Sequence, residues 1–474
     1  MPLATEEPPL CVDLDRTLIW TDTLLEGCLS LVLHGLSWLL IPFWLLRGKA
    51  YVKRHVALRG LLDVSKFPYN TALVEDLARE RKRGRRIILC TGAARELALQ
   101  VAAHVDLFDD VMASDEVGNL VGGRKSDALK ARFGKGRFDY VGDSRQDLTV
   151  WRNARHAFVV DPSRRMLDSL QRRNVKVAGV YSKPHQSWSS WLRVIRVHQW
   201  VKNLLLFTPL ALAHRLVILE ELIAFAAFSL TASAGYLIND LLDLEADRKH
   251  VHKKHRPLAS GAIPLVHAVA AVPVLLMLGV AAAVALPSLF IVALAVYFVA
   301  SVTYSLWLKR CAPLDVIVLA GLYTVRITAG GIASGIVISP WTLSVSVFLF
   351  LSLAMVKRVS ELRQLCDGKA QALPGRTYVR VDIEQLSSMG SAAGYISVLV
   401  LALYINSPDV QKLYSHPEWL WLILPIQLYW ISRIWLLTGR GRIHQDPIMF
   451  AIKDRMTYIA GLFSAVIAAV AATA

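Results

Sequence analysis

Cysteine is scarce in this 474-residue chain: Cys11, Cys28, Cys90, Cys311 and Cys366 stand far apart, with no metal or redox spacing. A Cys-based zinc site and a redox pair are thereby excluded, and the thiols read as incidental residues of a reducing compartment. Acidic residues are also in deficit, 37 Asp and Glu against 53 Lys and Arg, leaving a formal charge of +16. The opening MPLATEEPPL has no basic n-region, so no signal peptide is expected.

What the chain has in excess is apolar side chains, 54% of residues with a mean hydropathy of +0.42, above the usual soluble balance. High hydropathy and high positive charge fit together when apolar spans alternate with basic loops. A nucleic-acid partner would also account for the charge. The basic residues, however, cluster beside apolar spans rather than on one soluble face, so no nucleic-acid binding is expected.

Residues 1 to about 180 alternate short β-branched runs (LCVDLD, RRIILCTG, FDYVGDS, HAFVVD) with charged helical stretches, the pattern of a parallel α/β sheet. From Trp188 onward nine apolar segments approach the roughly 20 residues that cross a hydrocarbon core: 201–218, 222–241, 264–285, 287–308, 314–336, 340–356, 391–407, 417–437 and 456–473. Connections on one side carry Arg248, Lys249, Lys309, Arg310, Lys357, Arg358, Arg440 and Arg442 among others, and those on the other carry Arg215 and Lys412. The basic side is expected to face the cytoplasm. This predicts a multi-pass protein of the inner (cytoplasmic) membrane, with its N-terminal domain cytoplasmic and its C-terminus outside.

Cys28–Leu46 (CLSLVLHGLSWLLIPFWLL) imitates a further span. A crossing there would separate Asp13 from the rest of its sheet. His34, Pro42 and the basic LLRGKAYVKRH flank suit a helical cap resting on the membrane surface. Burial against the neighbouring domain is the alternative.

Residues 239–247 read NDLLDLEAD at the inner end of an apolar span, where an Asp costs roughly 2.5–3.5 kcal/mol at bilayer depth. On a helix Asn239, Asp243 and Asp247 recur every four residues, and Asp240 leads Asp243 by three, so one face carries all four. Carboxylates so placed repel one another. A divalent cation relieves them, and Mg²⁺ favours carboxylates together with phosphate oxygens, which makes a diphosphate the natural third party. The basic run from Arg248 to Arg256 follows, then PLASG. As a whole, NDLLDLEADRKHVHKKHRPLASG resembles the signature of the UbiA superfamily of intramembrane prenyltransferases. The resemblance implies Asp240, Asp243 and Asp247 as ligands of one or more Mg²⁺ ions, with Asn239, Lys254 and Arg256 on the substrate.

In CVDLDRTLIWTDTL, Asp13 and Asp15 end a strand with both carboxylates on one side. One can attack phosphorus while the other, if its pKa is raised, protonates the leaving alcohol. RRIILCTGA places Thr91 at a second strand end, able to bond a phosphate oxygen. Lys125 can neutralise a pentavalent phosphorane, and YVGDSRQDL supplies Asp143 and Asp147, which can hold Mg²⁺. This order resembles the haloacid dehalogenase superfamily over residues 9–165. It implies a Rossmann-like α/β domain (1–180) with a helical cap at about 19–80. By the same resemblance Asp13 is the nucleophile, Asp15 the general acid/base, and Asp13, Asp15 and Asp143 the ligands of one Mg²⁺.

UbiA enzymes that prenylate aromatic acids usually carry a second Asp-rich motif between spans six and seven. Here that stretch reads MVKRVSELRQL, with Lys357, Arg358, Glu361 and Arg363 instead of aspartates. A basic site suits phosphate rather than a second metal, although positive-inside anchoring is the competing account of any single loop Lys or Arg. Together with Tyr304, Lys309, Asp315 and Arg326 upstream, LRVIRVHQWVKNLL, and DPIMFAIKDR near the end, residues 190–474 resemble the decaprenyl-phosphate phosphoribosyltransferase branch. The implied fold is an all-α bundle of nine transmembrane helices. The implied partners are phosphoribosyl pyrophosphate, a polyprenyl phosphate and the lipid bilayer; the oligomeric state is left open. The expected activity is bifunctional: transfer of 5-phosphoribose to the lipid, then removal of the 5-phosphate. An aromatic prenyltransferase fused to a phosphatase for an unrelated substrate is the second reading, and a lipid-binding scaffold with degenerate sites is the third.

Overall fold

The structure, a computed structural model, describes residues 7–33, 35, 37–115, 118–183, 188–213, 218–250, 253–366, 376–443 and 446–473. Arg215 and the side chain of Lys412, on which the expected orientation leans, lie outside the described residues, as do His34, Met1 and Ala474. The chain forms two compact units. One comprises residues 1–195 with 237–271, the other 196–236 with 272–474. The Asp-rich segment, expected with the membrane bundle, thus packs with the N-terminal unit.

That first unit is built on six parallel strands: β1 (Leu10–Val12), β2 (Ile87–Ala94), β3 (Asp110–Ser114), β4 (Asp139–Gly142), β5 (Ala157–Val160) and β6 (Val177–Tyr181). Their order is β3-β2-β1-β4-β5-β6, with Leu10 level with both Ile87 and Asp139. Side chains alternate between two cores. Leu10, Val12, Ile87, Leu89 and Val141 enter one, and Cys11, Ile88, Cys90 and Tyr140 enter the other. Both faces are covered, as a parallel sheet requires. β1 lies at the point where strand order reverses, and ligands of open α/β sheets bind beyond the carboxyl ends there.

Between β1 and β2 stand four helices, α1 (Thr23–Leu33), α2 (Ile41–Leu46), α3 (Lys49–Arg59) and α4 (Thr71–Lys82). Cys28–Leu46 is therefore not one helix: α1 ends at Leu33, Gly35 adopts φ +150°, and a turn at Ser37–Leu40 leads into α2. Neither piece is long enough to cross a bilayer.

The second unit is helical. Across the chain, eight helices are long and apolar enough to cross a membrane among the described residues: Ile218–Leu242, Leu265–Ala283, Ser288–Leu306, Leu314–Ser334, Pro340–Gln364, Asp382–Ile405, Pro417–Gly439 and Arg455–Thr473. The remaining expected span, 201–218, departs from the nine-span reading. Val197–Phe207 is a 3₁₀ run, Thr208–Leu212 a short α-helix opened by Pro209, and 214–217 lie outside the described residues. Its polar residues explain the departure. Trp200 Nε1 donates to Ser233 Oγ at 2.9 Å, Asn203 Nδ2 to Ser229 Oγ at 2.9 Å, and Lys202 Nζ to Asp446 Oδ2 at 2.8 Å. A 3₁₀ run turns residues three apart to one side, and these partners hold it in that tighter winding. Gly330 makes room for it, since a Cβ there would stand 1.9 Å from Leu206 O.

Candidate functional site

Asp13 follows β1, and its amide donates to Val141 O of the neighbouring β4 at 3.0 Å. Asp143 follows β4. Asp147 closes a capping box with Ser144, whose N–H and Oγ donate to its Oδ2 at 3.0 and 2.8 Å. The topology thus delivers Asp13, Asp143 and Asp147 to one place, with an oxygen of each within 4.8 Å of the others. Lys125, in the first turn of the Gly123–Phe133 helix, sets Nζ 3.0 Å from Asp13 Oδ2 and 3.8 Å from Asp147 Oδ1. It also donates to Tyr140 Oη at 2.8 Å, and that hydroxyl donates to Asp147 Oδ1 at 2.9 Å.

Asp15 stands apart from this cluster: its Oδ1 accepts the Thr23 N–H that opens α1, at 2.8 Å. Thr91 is buried, its Oγ1 accepting Ala93 N–H at 3.0 Å. Burial pushes the Asp13 carboxyl up, with Lys125 opposing. Burial, then the nearby Asp22, raises Asp15 to about 7, and burial raises Asp143 to about 7 against the pull of Arg16. Lys125 sits above the usual lysine range, because Asp13 and Asp147 outweigh the burial that would lower it. Crowded carboxyls whose burial disfavours the ionised form fit a hard divalent cation, whose charge would favour that form. The donor set is all oxygen, as Mg²⁺ requires. The resemblance named Asp13, Asp15 and Asp143; the carboxylates that converge are Asp13, Asp143 and Asp147.

The second acidic centre lies where the Ile218–Leu242 helix passes into the Leu244–Lys249 helix. Backbone bonds Asp243 N–H to Asn239 O and Asp247 N–H to Asp243 O, both 2.8 Å, carry helical register across the junction. Asn239, Asp240, Asp243 and Asp247 therefore do share a face. Arg256 lies over it: one guanidinium nitrogen is 3.1 Å from Asp240 Oδ1 and 2.6 Å from Asp247 Oδ2. Asn239 Nδ2 donates to Asp243 Oδ2 at 3.1 Å. Burial raises the Asp247 carboxyl, and Arg256 opposes it. These oxygens fit Mg²⁺ in kind, with Arg256 as the present counter-charge. Lys254 is exposed on the turn Lys253–His255.

The segment is anchored within its own unit. Arg248 forms a two-pronged ion pair with Glu26 of α1, at 2.7 and 2.8 Å, both side chains buried, and donates to Ala259 O at 3.1 Å. Thr21 Oγ1 also bonds Glu26. Gly261, at φ +71°, lies against Trp20, so close that a Cβ would meet Trp20 Cβ at 2.5 Å.

In the second unit the basic residues divide into two groups. Arg358 is fully buried and committed: Nε donates to Asp315 Oδ2 at 2.6 Å, one terminal nitrogen to Glu361 Oε2 at 2.7 Å, the other to Tyr304 Oη at 2.8 Å. Arg376 and Tyr378 add further bonds to Asp315. Such a closed network holds helices together. Arg326 is likewise buried, bonded to Asn203 Oδ1 (2.9 Å) and Tyr297 Oη (2.8 Å), and stacks 4.7 Å from the Tyr297 ring centroid. Lys357 differs. It is partly exposed and shares Asp446 Oδ2 with Lys202, at 3.3 and 2.8 Å. Burial works to raise the Asp446 carboxyl, but Lys357 and Lys202 hold it well below the carboxylate range. Lys309 lies on the turn Leu308–Arg310.

Sequence reasoning passed over Lys202, Asn203, Tyr140 and Lys53. Lys53 projects from α3, donating to Gly92 O (2.6 Å) and Asn119 Oδ1 (3.1 Å) beside Thr91. A basic or polar residue inside an apolar run, as in HQWVKNLLLF, was the available signal for Lys202 and Asn203.

The model of the UbiA prenyltransferase family matches residues 205–451. Protein y4nM of Sinorhizobium fredii is 35% identical over 96% of this chain and 89% of its own length. Nodulation protein NoeC of Azorhizobium caulinodans is 33% identical over 56% of this chain and 87% of that protein. Decaprenyl-phosphate phosphoribosyltransferase of Mycolicibacterium smegmatis is 35% identical over 38% of this chain and 59% of that enzyme.

Proposed function

The chain belongs to the UbiA prenyltransferase family, and from that membership we propose a two-step activity: transfer of 5-phosphoribose from phosphoribosyl pyrophosphate to a polyprenyl phosphate, then hydrolysis of the 5-phosphate by a haloacid dehalogenase-like N-terminal unit. The observation that carries the two-step reading is the Asp13, Asp143 and Asp147 cluster with Lys125 at 3.0 Å. It is a phosphate-handling centre in the same unit as the Asp-rich segment. The identity to decaprenyl-phosphate phosphoribosyltransferase and the basic MVKRVSELRQL stretch support the choice of donor.

In the transfer step the bond from the anomeric carbon to pyrophosphate breaks, positive charge develops on the sugar, and a phosphate oxygen of the lipid bonds that carbon. Mg²⁺ held by Asp240, Asp243 and Asp247 would neutralise the departing pyrophosphate. Arg256 would exchange its carboxylates for a phosphate oxygen, a change of partner that a planar guanidinium accommodates. Lys357 and Lys202, two cations on the one Asp446 carboxylate, are candidates for a phosphate group, whereas Arg326 and Arg358 are each held by three partners.

In the hydrolytic step an Asp13 oxygen attacks phosphorus and the bond to the ribose 5-oxygen breaks. Asp15, near neutrality partly protonated, gives that oxygen a proton, then takes one from the water that attacks the aspartyl phosphate. Its Oδ1 accepts the Thr23 N–H, which orients the carboxyl. Lys125 and Thr91 would hold the phosphate oxygens.

The experiment is incubation of purified protein with labelled phosphoribosyl pyrophosphate and decaprenyl phosphate, with lipid products resolved by mass. One pyrophosphate and one inorganic phosphate per ribose are expected. A lipid product that retains the 5-phosphate would sink the second step, and no lipid-linked ribose would sink the first. The proposed orientation has the acidic centres on the cytoplasmic side, so a reporter fused before Met1 should be cytoplasmic.

A further inference from the structure

The cap carries a surface that the chemistry above does not use. Trp44 is buried among Leu31, Val52 and Val56, with the Arg59 guanidinium 5.1 Å from its ring, and it pins α2 to α1 and α3. Ile41 packs with it, and the other large apolar side chains of residues 38–46 point outward. Trp38, Leu39 and Leu40 of the preceding turn are exposed, as are Phe43 (67%), Leu45 (55%) and Leu46 (85%). A ridge of six large apolar side chains in nine residues is not ordinary soluble surface.

Its charge pattern narrows the occupant. No Asp or Glu occurs from residue 27 to residue 62, whereas Arg47, Lys49, Lys53, Arg54 and Arg59 do. Arg47 and Lys49 are exposed directly beside Leu46. A protein partner for such a ridge would have to match its shape. A bilayer needs only apolar depth and anionic headgroups, which is what this ridge and its basic border complement. The same chain carries eight helices of membrane-crossing length, so a bilayer is always at hand.

We infer that the Ser37–Leu46 ridge docks on the anionic surface of the bilayer, with Phe43, Leu45 and Leu46 in the headgroup–acyl boundary and Arg47 and Lys49 on lipid phosphates. The consequence is a preference for membrane-borne phosphate esters. α3 follows α2 after Arg47 and Gly48, and its Lys53 bonds Gly92 O just after Thr91, so the ridge and the phosphate-site loop are joined by one helix. This consequence rests on the phosphatase reading; the docking does not.

Benzoylphenylalanine placed at position 43 or 46 of the full-length protein, in nanodiscs of phosphatidylethanolamine and phosphatidylglycerol, should on illumination acquire the mass of a phospholipid. The same group at Leu167, exposed on the Arg164–Arg172 helix, should not. Adducts to protein at 43 and 46, or equal lipid labelling at 167, would overturn the docking. The double variant Phe43→Glu, Leu46→Glu should raise KM for lipid-linked 5-phosphoribose about tenfold and leave p-nitrophenyl phosphate hydrolysis within twofold. An equal change on both substrates would overturn the preference. If wild type hydrolyses neither, the phosphatase reading has failed, and the cross-links alone decide the docking.

Discussion

Asp13, Asp143 and Asp147 meet from two neighbouring strand ends, whereas Asp240, Asp243 and Asp247 leave one helical face. At the strand ends the oxygens come within 4.8 Å of one another, with Lys125 beside them on a separate helix. On the helix, successive carboxylates are a turn apart, near 5.4 Å of rise, and Arg256 from the returning loop spans Asp240 and Asp247. The sheet prearranges the first centre, because β1 and β4 hydrogen-bond directly. The second depends on where residues 253–261 return, and that return is fixed by Arg248 on Glu26 and Gly261 on Trp20. The strand-end centre is therefore self-contained, and the helical one leans on α1.

The sharpest way to break this comparison is Asp13→Asn. Phosphate hydrolysis should fall about 10⁴-fold, as for loss of a covalent nucleophile, while transfer stays within twofold and lipid-linked 5-phosphoribose accumulates. Mass analysis of the lipid products reads both, and a parallel loss of transfer would mean the centres are not independent. Asp243→Ala should do the reverse, lowering kcat for transfer by about 10³-fold through lost charge stabilisation of the leaving group. Hydrolysis of p-nitrophenyl phosphate serves as the control, and a matching drop there would contradict separate metal sites.

The dependence on α1 predicts a stability effect. Glu26→Ala leaves Arg248 buried without its partner and should destabilise the N-terminal unit by about 3 kcal/mol. Glu26→Met with Arg248→Met should recover most of that, measured as protection from proteolysis in detergent. A double variant no better than the single one would show that the pair is not what anchors the segment. The smallest effect is expected from Gly261→Ala. A non-glycine residue at φ +71° whose Cβ meets Trp20 should cost about 2 kcal/mol. It should raise the Mg²⁺ concentration needed for transfer and leave that for hydrolysis unchanged; equal shifts would refute the asymmetry.

Legibility follows the same division. NDLLDLEAD could be read directly, because a helix converts spacing in the chain into spacing in space. The strand-end centre was legible as separate pieces in order, but which carboxylates converge was not: Asp147 joins the cluster because a capping box turns it back, while Asp15 is drawn off to α1. Six of the described long helices start and end within a few residues of the expected spans, Pro340–Gln364 runs eight residues past its expected end at 356, and Asp382–Ile405 starts nine residues before its expected beginning at 391. Segment 201–218 misled, since hydropathy does not register the bonds that Trp200, Lys202 and Asn203 make to distant serines and Asp446.

Composition and local pattern by themselves determined that the chain has a parallel α/β part, a run of apolar helices and an acidic helical face, because each is written in neighbouring residues through periods of two or 3.6. Partnership between remote side chains was decided only in three dimensions. Arg358 is sealed by Asp315, Glu361 and Tyr304, whereas Lys357, the next residue along, reaches Asp446. Arg248 finds Glu26 across 222 positions of chain and brings the Asp-rich segment into the N-terminal unit. A buried charge must find its counter-charge wherever the fold supplies one, and the folded chain alone specifies where that is.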